Sequence, residues 1–205
     1  MTLKALALNC TLKADPTDPS STDAMIAVLE KAFKAHGVEV TETVRVAALD
    51  IKPGVTSDEG VGDEWPGLRA KILAHDILIF GGPIWMGQIG SIAKRVLERM
   101  DAFLNETDEQ GRMPSYGKVA VAAIVGNEDG AHFSSAQLFQ ALNDVGWTAP
   151  AIAACYWVGE AMGSTDFKDL EKTPEMVTKT AAMVAGNAAH LAGLLADKPY
   201  PGDGG

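Results

Sequence analysis

The chain has 205 residues, 47% of them hydrophobic and 21% charged, which is typical of a globular protein with a sizeable core. Lys and Arg number 17 against 27 Asp and Glu, and the net charge of −10 without a cationic cluster argues against nucleic acid as a partner. No apolar run reaches the roughly 18 residues that cross a bilayer, and no signal-peptide pattern opens the chain. We therefore expect no membrane association and a cytoplasmic location.

Apolar runs and helical periodicities alternate five times along the chain. Strands are predicted at Leu3–Asn9, Val38–Val46, Asp76–Gly82, Lys118–Gly126 and Pro150–Trp157. Helices are predicted at Thr22–Ala35, around Leu68–Ala74, from about Gly90, from about Phe133 to Val145, and, after the start signal Thr173–Pro174–Glu175, to about Leu195. The alternation indicates an α/β fold.

Right-handed crossovers turn such an alternation into one parallel sheet with helices on both faces. Five units fit the doubly wound strand order 2-1-3-4-5 better than a closed barrel. One domain is expected over residues 1–196, with a flexible tail rich in Pro, Gly and Asp over 197–205. In this order Cys10 and Cys155 follow or lie on strands that are separated by two others, so we expect two reduced thiols and no disulfide.

Ligands of open α/β sheets bind beyond the carboxyl ends of the strands, near the point where the strand order reverses. Four loops reach that edge: Cys10–Thr22, Pro83–Ile89, Gly126–His132 and Trp157–Gly163. A site built from these loops has no nucleophile elbow and no Ser-His-Asp pattern. Such a site suits a cofactor that carries its own chemistry.

The first loop places hydroxyl groups and a lysine before a helix N-terminus, where free N–H groups and the helix dipole attract a phosphate. The residues concerned are Thr11, Lys13, Ser20, Ser21 and Thr22. Ordinary helix capping by Ser20 and Asp23 explains the same residues equally well. The motifs GxxxxGK[ST] and GxGxxG are absent, which disfavours a nucleoside triphosphatase and a dinucleotide-binding site.

The second loop carries Trp85 and Met86 among glycines, an arrangement that brings backbone N–H groups to the edge of a flat aromatic ring. Filling of a core gap or a dimer contact are the alternatives for this pair. The third loop, GNEDGAH, is interpreted as a tight turn whose N–H groups point at a ligand. It lacks the spacing of a calcium loop, and no metal site is expected.

Two further loop positions carry side chains with alternative interpretations. His132 is a candidate acid or base, although a lone loop histidine is more often structural. Tyr156 and Trp157, at the end of the last strand, are candidates for contact with a substrate or partner, with core packing as the alternative.

Three segments together resemble the NAD(P)H-dependent FMN reductases of the flavodoxin-like superfamily. The run T-L-K…S-S-T is similar to the phosphate loop of that family, GGPIWMGQIGSIAKRVLERMD to the segment that faces the flavin ring, and GNEDGAH to the Gly-rich segment after the fourth strand. The resemblance extends to about Leu195. It implies a flavodoxin-like three-layer sandwich, FMN as cofactor, and NADPH or NADH as electron donor.

The resemblance also assigns residues to parts of FMN. The phosphate would be bound by Thr11, Lys13, Ser20, Ser21 and Thr22. The isoalloxazine would be lined by Pro83, Ile84, Trp85, Met86 and Gly87, and its other edge by Gly126, Asn127, Glu128, Asp129 and Gly130. No residue is assigned as catalytic.

In the implied reaction, hydride passes from nicotinamide to flavin N5, and electrons then pass to a small acceptor such as a quinone, free flavin or another oxidant. N–H donors of the protein would stabilise the reduced flavin. A homodimer whose partner helps to close the flavin site is also implied. Two alternatives stay open: an electron carrier without NAD(P)H oxidation of its own, and a protein that kept the fold and lost the flavin.

Overall fold

A computed structural model describes residues 2–202 of the chain. The strands are β1 (Lys4–Asn9), β2 (Glu39–Arg45), β3 (Ile77–Trp85), β4 (Gln88–Ile89), β5 (Val119–Gly126) and β6 (Ala154–Val158). The α-helices are α1 (Ser21–Ala35), α2 (Trp65–Leu73), α3 (Ser91–Met100), α4 (Ala131–Asp144) and α5 (Glu175–Asp197). Short 3-10 turns occur at Val46–Ala48, Asp101–Asn105 and Phe167–Asp169.

The main sheet has the order β2-β1-β3-β5-β6, with parallel pairing throughout. Counted without the short strand β4, this is the predicted order 2-1-3-4-5. The difference is β4 itself, which pairs antiparallel with the end of β3. The reversal of strand order therefore lies between β1 and β3, which is where a ligand is expected.

Side chains alternate between two hydrophobic layers on the faces of the sheet. Leu8, Phe80 and Ala122 pack beneath α2, α3 and α4. Ala7 and Val121 pack on the opposite face, against α1 and α5. Because both faces are covered, the central strands are apolar at nearly every position, as their sequences predicted, and Lys4 and Asn9 at the ends of β1 are the exceptions.

The two cysteines are free and buried, as expected. Cys10 packs in the layer beneath α2, α3 and α4, whereas Cys155 packs in the layer against α1 and α5. The sheet separates the two thiols, and burial raises the pKa of both. Neither is poised for reaction, because the thiolate is the reactive form.

Four predicted boundaries were wrong. Pro83–Ile89, expected as a loop, continues β3 and turns into β4 because Ile84 and Trp85 pair with Ile89 and Gln88. Helix α2 begins earlier, at Trp65, because Pro66 lies in its first turn. The last strand begins only at Ala154, after a turn in which Ile152 has a positive φ of 55°. Helix α5 is capped by Pro174 rather than Thr173, without a side-chain hydrogen bond.

A buried ion pair fixes the long segment 49–64 that precedes α2. Arg99 Nη2 lies 2.7 Å from Asp63 Oδ2, and both side chains are fully buried. The same guanidinium donates to the carbonyl oxygens of Lys52 and Thr56 at 2.9 Å. Burial acts to raise the pKa of Asp63, but Arg99 and three backbone N–H donors outweigh it and hold that pKa far below its ordinary value.

The C-terminal residues continue past α5. The hydroxyl of Tyr200 lies 3.0 Å from Thr148 Oγ1, and its ring meets the Tyr116 ring edge-on at 5.8 Å. Residues 203–205 of the predicted tail lie outside the described residues. In the part that is described, no helix has both the length and the apolarity needed to cross a membrane.

Candidate functional site

A cleft of about 520 Å³ opens at the carboxyl edge of the sheet, around the reversal point. It is lined by Thr11, Lys13, Ser20, Ser21, Thr22, Pro83, Ile84, Trp85, Met86, Val125, Gly126, Asn127, Glu128, Trp157, Met162, Asp166, Phe167 and Lys168. Of the residues assigned to FMN from the sequence, all line this cleft except Gly87, Asp129 and Gly130. Its volume is in the range of sites for small molecules and cofactors.

One end of the cleft is the N-terminus of α1. Ser20 Oγ accepts a hydrogen bond from Asp23 N at 3.1 Å, and Asp23 Oδ2 accepts from Ser20 N at 3.0 Å, which completes a capping box. Buried Asn9 supports the cap by donating to Ser20 Oγ at 3.2 Å. The capping interpretation is thus confirmed, yet it leaves the first-turn N–H groups of Ser21 and Thr22 without intrahelical acceptors. Capping and anion binding are compatible here.

Arg45, at the end of β2, binds the loop that precedes α1. Its Nη1 donates to the carbonyl oxygens of Lys13 at 3.1 Å, Asp15 at 3.0 Å and Asp18 at 3.3 Å. Its Nη2 forms an ion pair with Asp23. A buried guanidinium with these partners both shapes the loop and compensates the carboxylate nearest the helix N-terminus.

Two lysines flank the same end of the cleft. Lys13 Nζ lies 2.9 Å from Asp18 Oδ1. Lys168 Nζ lies 2.6 Å from Asp169 Oδ2, and this hydrogen bond raises the pKa of Lys168. The backbone N–H of Lys168 also donates to Ser21 Oγ at 3.3 Å, which joins its segment to α1. Both lysines are cations within the cleft wall, each balanced by a neighbouring carboxylate.

The other end of the cleft is the tip of the β3–β4 hairpin. Trp85 is 53% exposed and Met86 is 86% exposed, so the core-filling alternative for this pair was wrong. Met86 and Gly87 have positive φ angles of 54° and 73° and form the two-residue turn of the hairpin. The tip therefore presents an aromatic and an apolar side chain to solvent and to the cleft.

Glu128 binds this turn from the third loop. One carboxylate oxygen accepts from Met86 N at 2.9 Å, and the other accepts from Gly87 N at 3.2 Å. The backbones also touch, because a Cβ at Gly130 would lie 2.5 Å from the carbonyl oxygen of Gly87. Two N–H groups expected to face a flat ring are thus bound to a carboxylate of the cleft itself.

The last wall comes from the segment after β6. Trp157 packs against Phe167 at a centroid distance of 5.5 Å, and Asn127 Nδ2 donates to Asp166 Oδ1 at 2.9 Å. The Oδ1 atom of Asn127 is buried and accepts no hydrogen bond from any described residue. Sequence reasoning missed residues 166–168, since DFK is an ordinary polar stretch. Its place shortly after the carboxyl end of the last strand was the one usable signal.

The remaining predicted positions lie away from the cleft. His132 Nε2 is 3.1 Å from the hydroxyl of Tyr156, and neither residue lines the cleft. Tyr156 precedes Trp157 on the strand and so points to the opposite face of the sheet. Asp129 is exposed and accepts a hydrogen bond from the N–H of Gly130 at 2.7 Å. No group of three or more metal-ligating side chains occurs within residues 2–202.

Comparison with known proteins assigns the chain to a family. The sequence model of the family described as NADPH-dependent FMN reductase matches residues 3–162. The chain belongs to the NADPH-dependent FMN reductase family. This confirms the family resemblance and, at the level of the family, FMN and NADPH as its cofactors. The matched range contains every residue assigned to FMN from the sequence and ends before the wall at residues 166–168.

Two of the matches have names that refer to a riboflavin-5'-phosphate. The 8-demethyl-8-aminoriboflavin-5'-phosphate synthase of Streptomyces davaonensis is 33% identical over 213 residues, which cover 99% of this chain and 82% of the synthase. The crystal structure of RosB with the bound intermediate 8-demethyl-8-formylriboflavin-5'-phosphate has a TM-score of 0.89 at 32% identity, and the match covers 98% of this chain and 83% of RosB.

A third relative is much longer than this chain. The divalent metal cation transporter MntH of Mycobacterium bovis is 34% identical over 200 residues, which cover 94% of this chain. The match spans only 29% of the transporter, so this chain corresponds to less than a third of that relative's length.

The residues of the cleft fit FMN. Hydroxyl groups, first-turn N–H groups and two lysines at the start of α1 suit a phosphate, as helix N-termini do in general. Ile84 and Trp85 supply apolar and aromatic surface at the hairpin end, and Val125 and Trp157 add more along the cleft. The unpaired buried oxygen of Asn127 fits the N–H donor of a flavin ring, because a buried acceptor without a donor is otherwise costly.

Proposed function

We propose that the chain is an FMN-dependent NAD(P)H oxidoreductase that passes electrons to a small acceptor such as a quinone, free flavin or another oxidant. The polarity of the cleft carries the proposal: hydroxyl groups and lysines lie at the N-terminus of α1, and Trp85 and Met86 lie at the hairpin tip at the opposite end. That gradient matches a ligand with a phosphate at one end and a flat ring at the other.

The chain's own residues bind and orient in this proposal. FMN supplies the hydride and electron chemistry when it is bound. Ser21, Thr22 and the lysines of the cleft would hold the phosphate, and Trp85 and Trp157 would exclude water from the ring. No side chain is assigned a proton transfer, which agrees with a site whose work is positioning.

Anaerobic titration of the flavin-loaded protein tests the proposal. The flavin absorbance near 450 nm should bleach with NADPH or NADH, roughly one nicotinamide per flavin, and should recover on addition of an acceptor from a panel of quinones and free flavins. Bleaching that requires a separate reductase would support the electron-carrier alternative. Absence of flavin binding would support a chain that kept the fold and lost the cofactor.

A second candidate function treats the flavin phosphate as substrate rather than cofactor. Its support is the 33% identity to an aminoriboflavin-5'-phosphate synthase across nearly the whole chain. Mass spectrometry of the flavin recovered after incubation in air with an amine donor separates the two functions. An unchanged FMN mass together with NAD(P)H oxidation supports the reductase, whereas a mass change supports flavin modification.

We also propose a homodimer in which the second copy covers the mouth of the cleft. Trp85, Met86 and Met162 line the cleft and are exposed, and Met162 is 97% exposed. Exposed apolar residues gathered at one rim favour an interface. Light scattering coupled to size exclusion should give twice the chain mass, and Met86→Lys should shift the protein towards the monomer.

A further inference from the structure

Glu128 places a carboxylate in the wall of the cleft, where hydrogen-bond donors would suit a reduced flavin better. Both of its oxygens accept N–H groups of the hairpin tip, from Met86 and Gly87. Glu128 itself lines the cleft. Reduction of a bound flavin adds negative charge to the ring, and N–H donors aimed at the ring would stabilise that charge. Here those donors are aimed at a carboxylate instead.

The hairpin has other supports, so Glu128 is not needed to close it. Trp85 pairs with Gln88 across the turn, and Ile89 N donates to Gln137 Oε1 at 3.2 Å. The close backbone contact between Gly87 and Gly130 is a third support of the hairpin tip. An amide side chain at position 128 would therefore leave the turn formed. The charge of Glu128 is the feature that these supports do not explain.

We propose that Glu128 disfavours the reduced, anionic state of the bound flavin and so lowers its reduction potential. The inference rests on the proposed binding of FMN in this cleft. Two effects act in the same direction, since the carboxylate repels added negative charge and also withholds two N–H donors from the ring. The cations of the cleft, Lys13 and Lys168, lie at the phosphate end and are paired with carboxylates of their own.

Glu128→Gln separates charge from shape. Its amide oxygen can still accept one turn N–H, while the other N–H is released and the negative charge is gone. A hydrogen bond to a charged group changes an equilibrium by about tenfold or more. We therefore expect reduced FMN to gain about tenfold in affinity relative to oxidised FMN, which is ~30 mV for a two-electron couple.

The measurement is the midpoint potential of the FMN-loaded protein against a reference dye, together with the Kd of oxidised FMN. Glu160→Gln is the matched control, because it removes the same charge from an exposed side chain that does not line the cleft. We expect a positive shift for Glu128→Gln and none for the control. Glu128→Ala, with melting curves for all variants, replaces Glu128→Gln if that variant does not fold.

The outcomes separate this inference from the proposed function. An unchanged or more negative potential in Glu128→Gln would overturn the inference, even if FMN binding weakens, because a purely structural role affects both oxidation states alike. Failure of the wild-type chain to bind FMN would overturn the proposed function and the inference together. FMN binding without NAD(P)H oxidation would overturn only the proposed reductase activity, and the potential would still decide the role of Glu128.

Discussion

Replacement of Arg45 by methionine tests whether one side chain shapes the phosphate end of the cleft. Arg45 is buried and donates to three loop carbonyls besides its ion pair with Asp23. Breaking a buried ion pair costs about 3–5 kcal/mol. Because the Asp23 side chain is 36% exposed and the carbonyls regain water, we place the loss of unfolding free energy at about 3 kcal/mol. For a chain of this size that is a fall in Tm of about 6–12 °C.

The same substitution should weaken FMN more than riboflavin. A loop that is no longer fixed must order when it binds phosphate, and fixing one residue's backbone costs about 1–2 kcal/mol, or roughly tenfold in Kd. Riboflavin lacks the phosphate and is the internal control. Arg112→Met, which breaks an exposed pair with Asp108, is the protein control and should cost less than about 1 kcal/mol.

The assay is fluorescence titration with both flavins, alongside urea unfolding of each variant. Arg45→Lys should recover little, since one ammonium group cannot span three carbonyls and a carboxylate. Equal weakening of FMN and riboflavin, or unchanged FMN affinity in a clearly destabilised Arg45→Met variant, would refute the role of Arg45 in shaping the phosphate site.

Three further variants test the fold and the ring wall. The pKa of Asp63 in the folded protein is depressed, so its stabilising contribution is present above the unfolded pKa of about 3.9 and is lost as the pH falls towards the folded pKa. In urea unfolding, the difference in unfolding free energy between wild type and Asp63→Asn should therefore shrink below about pH 4. A difference that stays constant with pH would contradict this. Gly130→Ala should cost about 2–4 kcal/mol because its Cβ meets the Gly87 backbone, whereas Gly193→Ala, in α5 with open space around it, should gain up to about 1 kcal/mol in the same unfolding assay. Trp85→Ala should lower the affinity for FMN roughly tenfold or slow hydride transfer, and Trp85→Phe should keep most of the affinity. Unchanged kinetics and binding in Trp85→Ala would favour a role of Trp85 in the dimer contact instead.

Hydrophobic periodicity predicted the parts of the fold that depend on local pattern. Runs such as LKALALN and DILIFGG are almost entirely apolar because both faces of the sheet are covered, and each one contributes to a central strand. The glycines and proline after Phe80 concealed the end of β3, since the pairing that makes it a strand depends on partners on β4 and β5. Pairing between segments is not a property of either segment alone.

The candidate site, like the fold, could be predicted only in part from the sequence. The loops at the carboxyl edge were predicted because topology determines where strands end. The contacts of Arg45, Glu128 and Lys168 were not predicted, because each joins residues more than 20 positions apart in the chain. Their local sequences, TVRV, GNED and DFKD, are those of ordinary solvated charges.

The contact between the hairpin tip and the third loop determines how the cleft can open. Gly87 and Gly130 touch through their backbones, and Glu128 joins the two loops by hydrogen bonds. These two walls must therefore move as one body. The segment 159–166 carries an exposed Met162 in a left-handed conformation, with φ of 63°. This segment is joined to the same third loop, because Gly159 N donates to the carbonyl oxygen of Gly126 at 2.8 Å and Met162 N donates to that of Asn127 at 3.2 Å. A change in the third loop should therefore be felt by both neighbouring walls of the cleft at once.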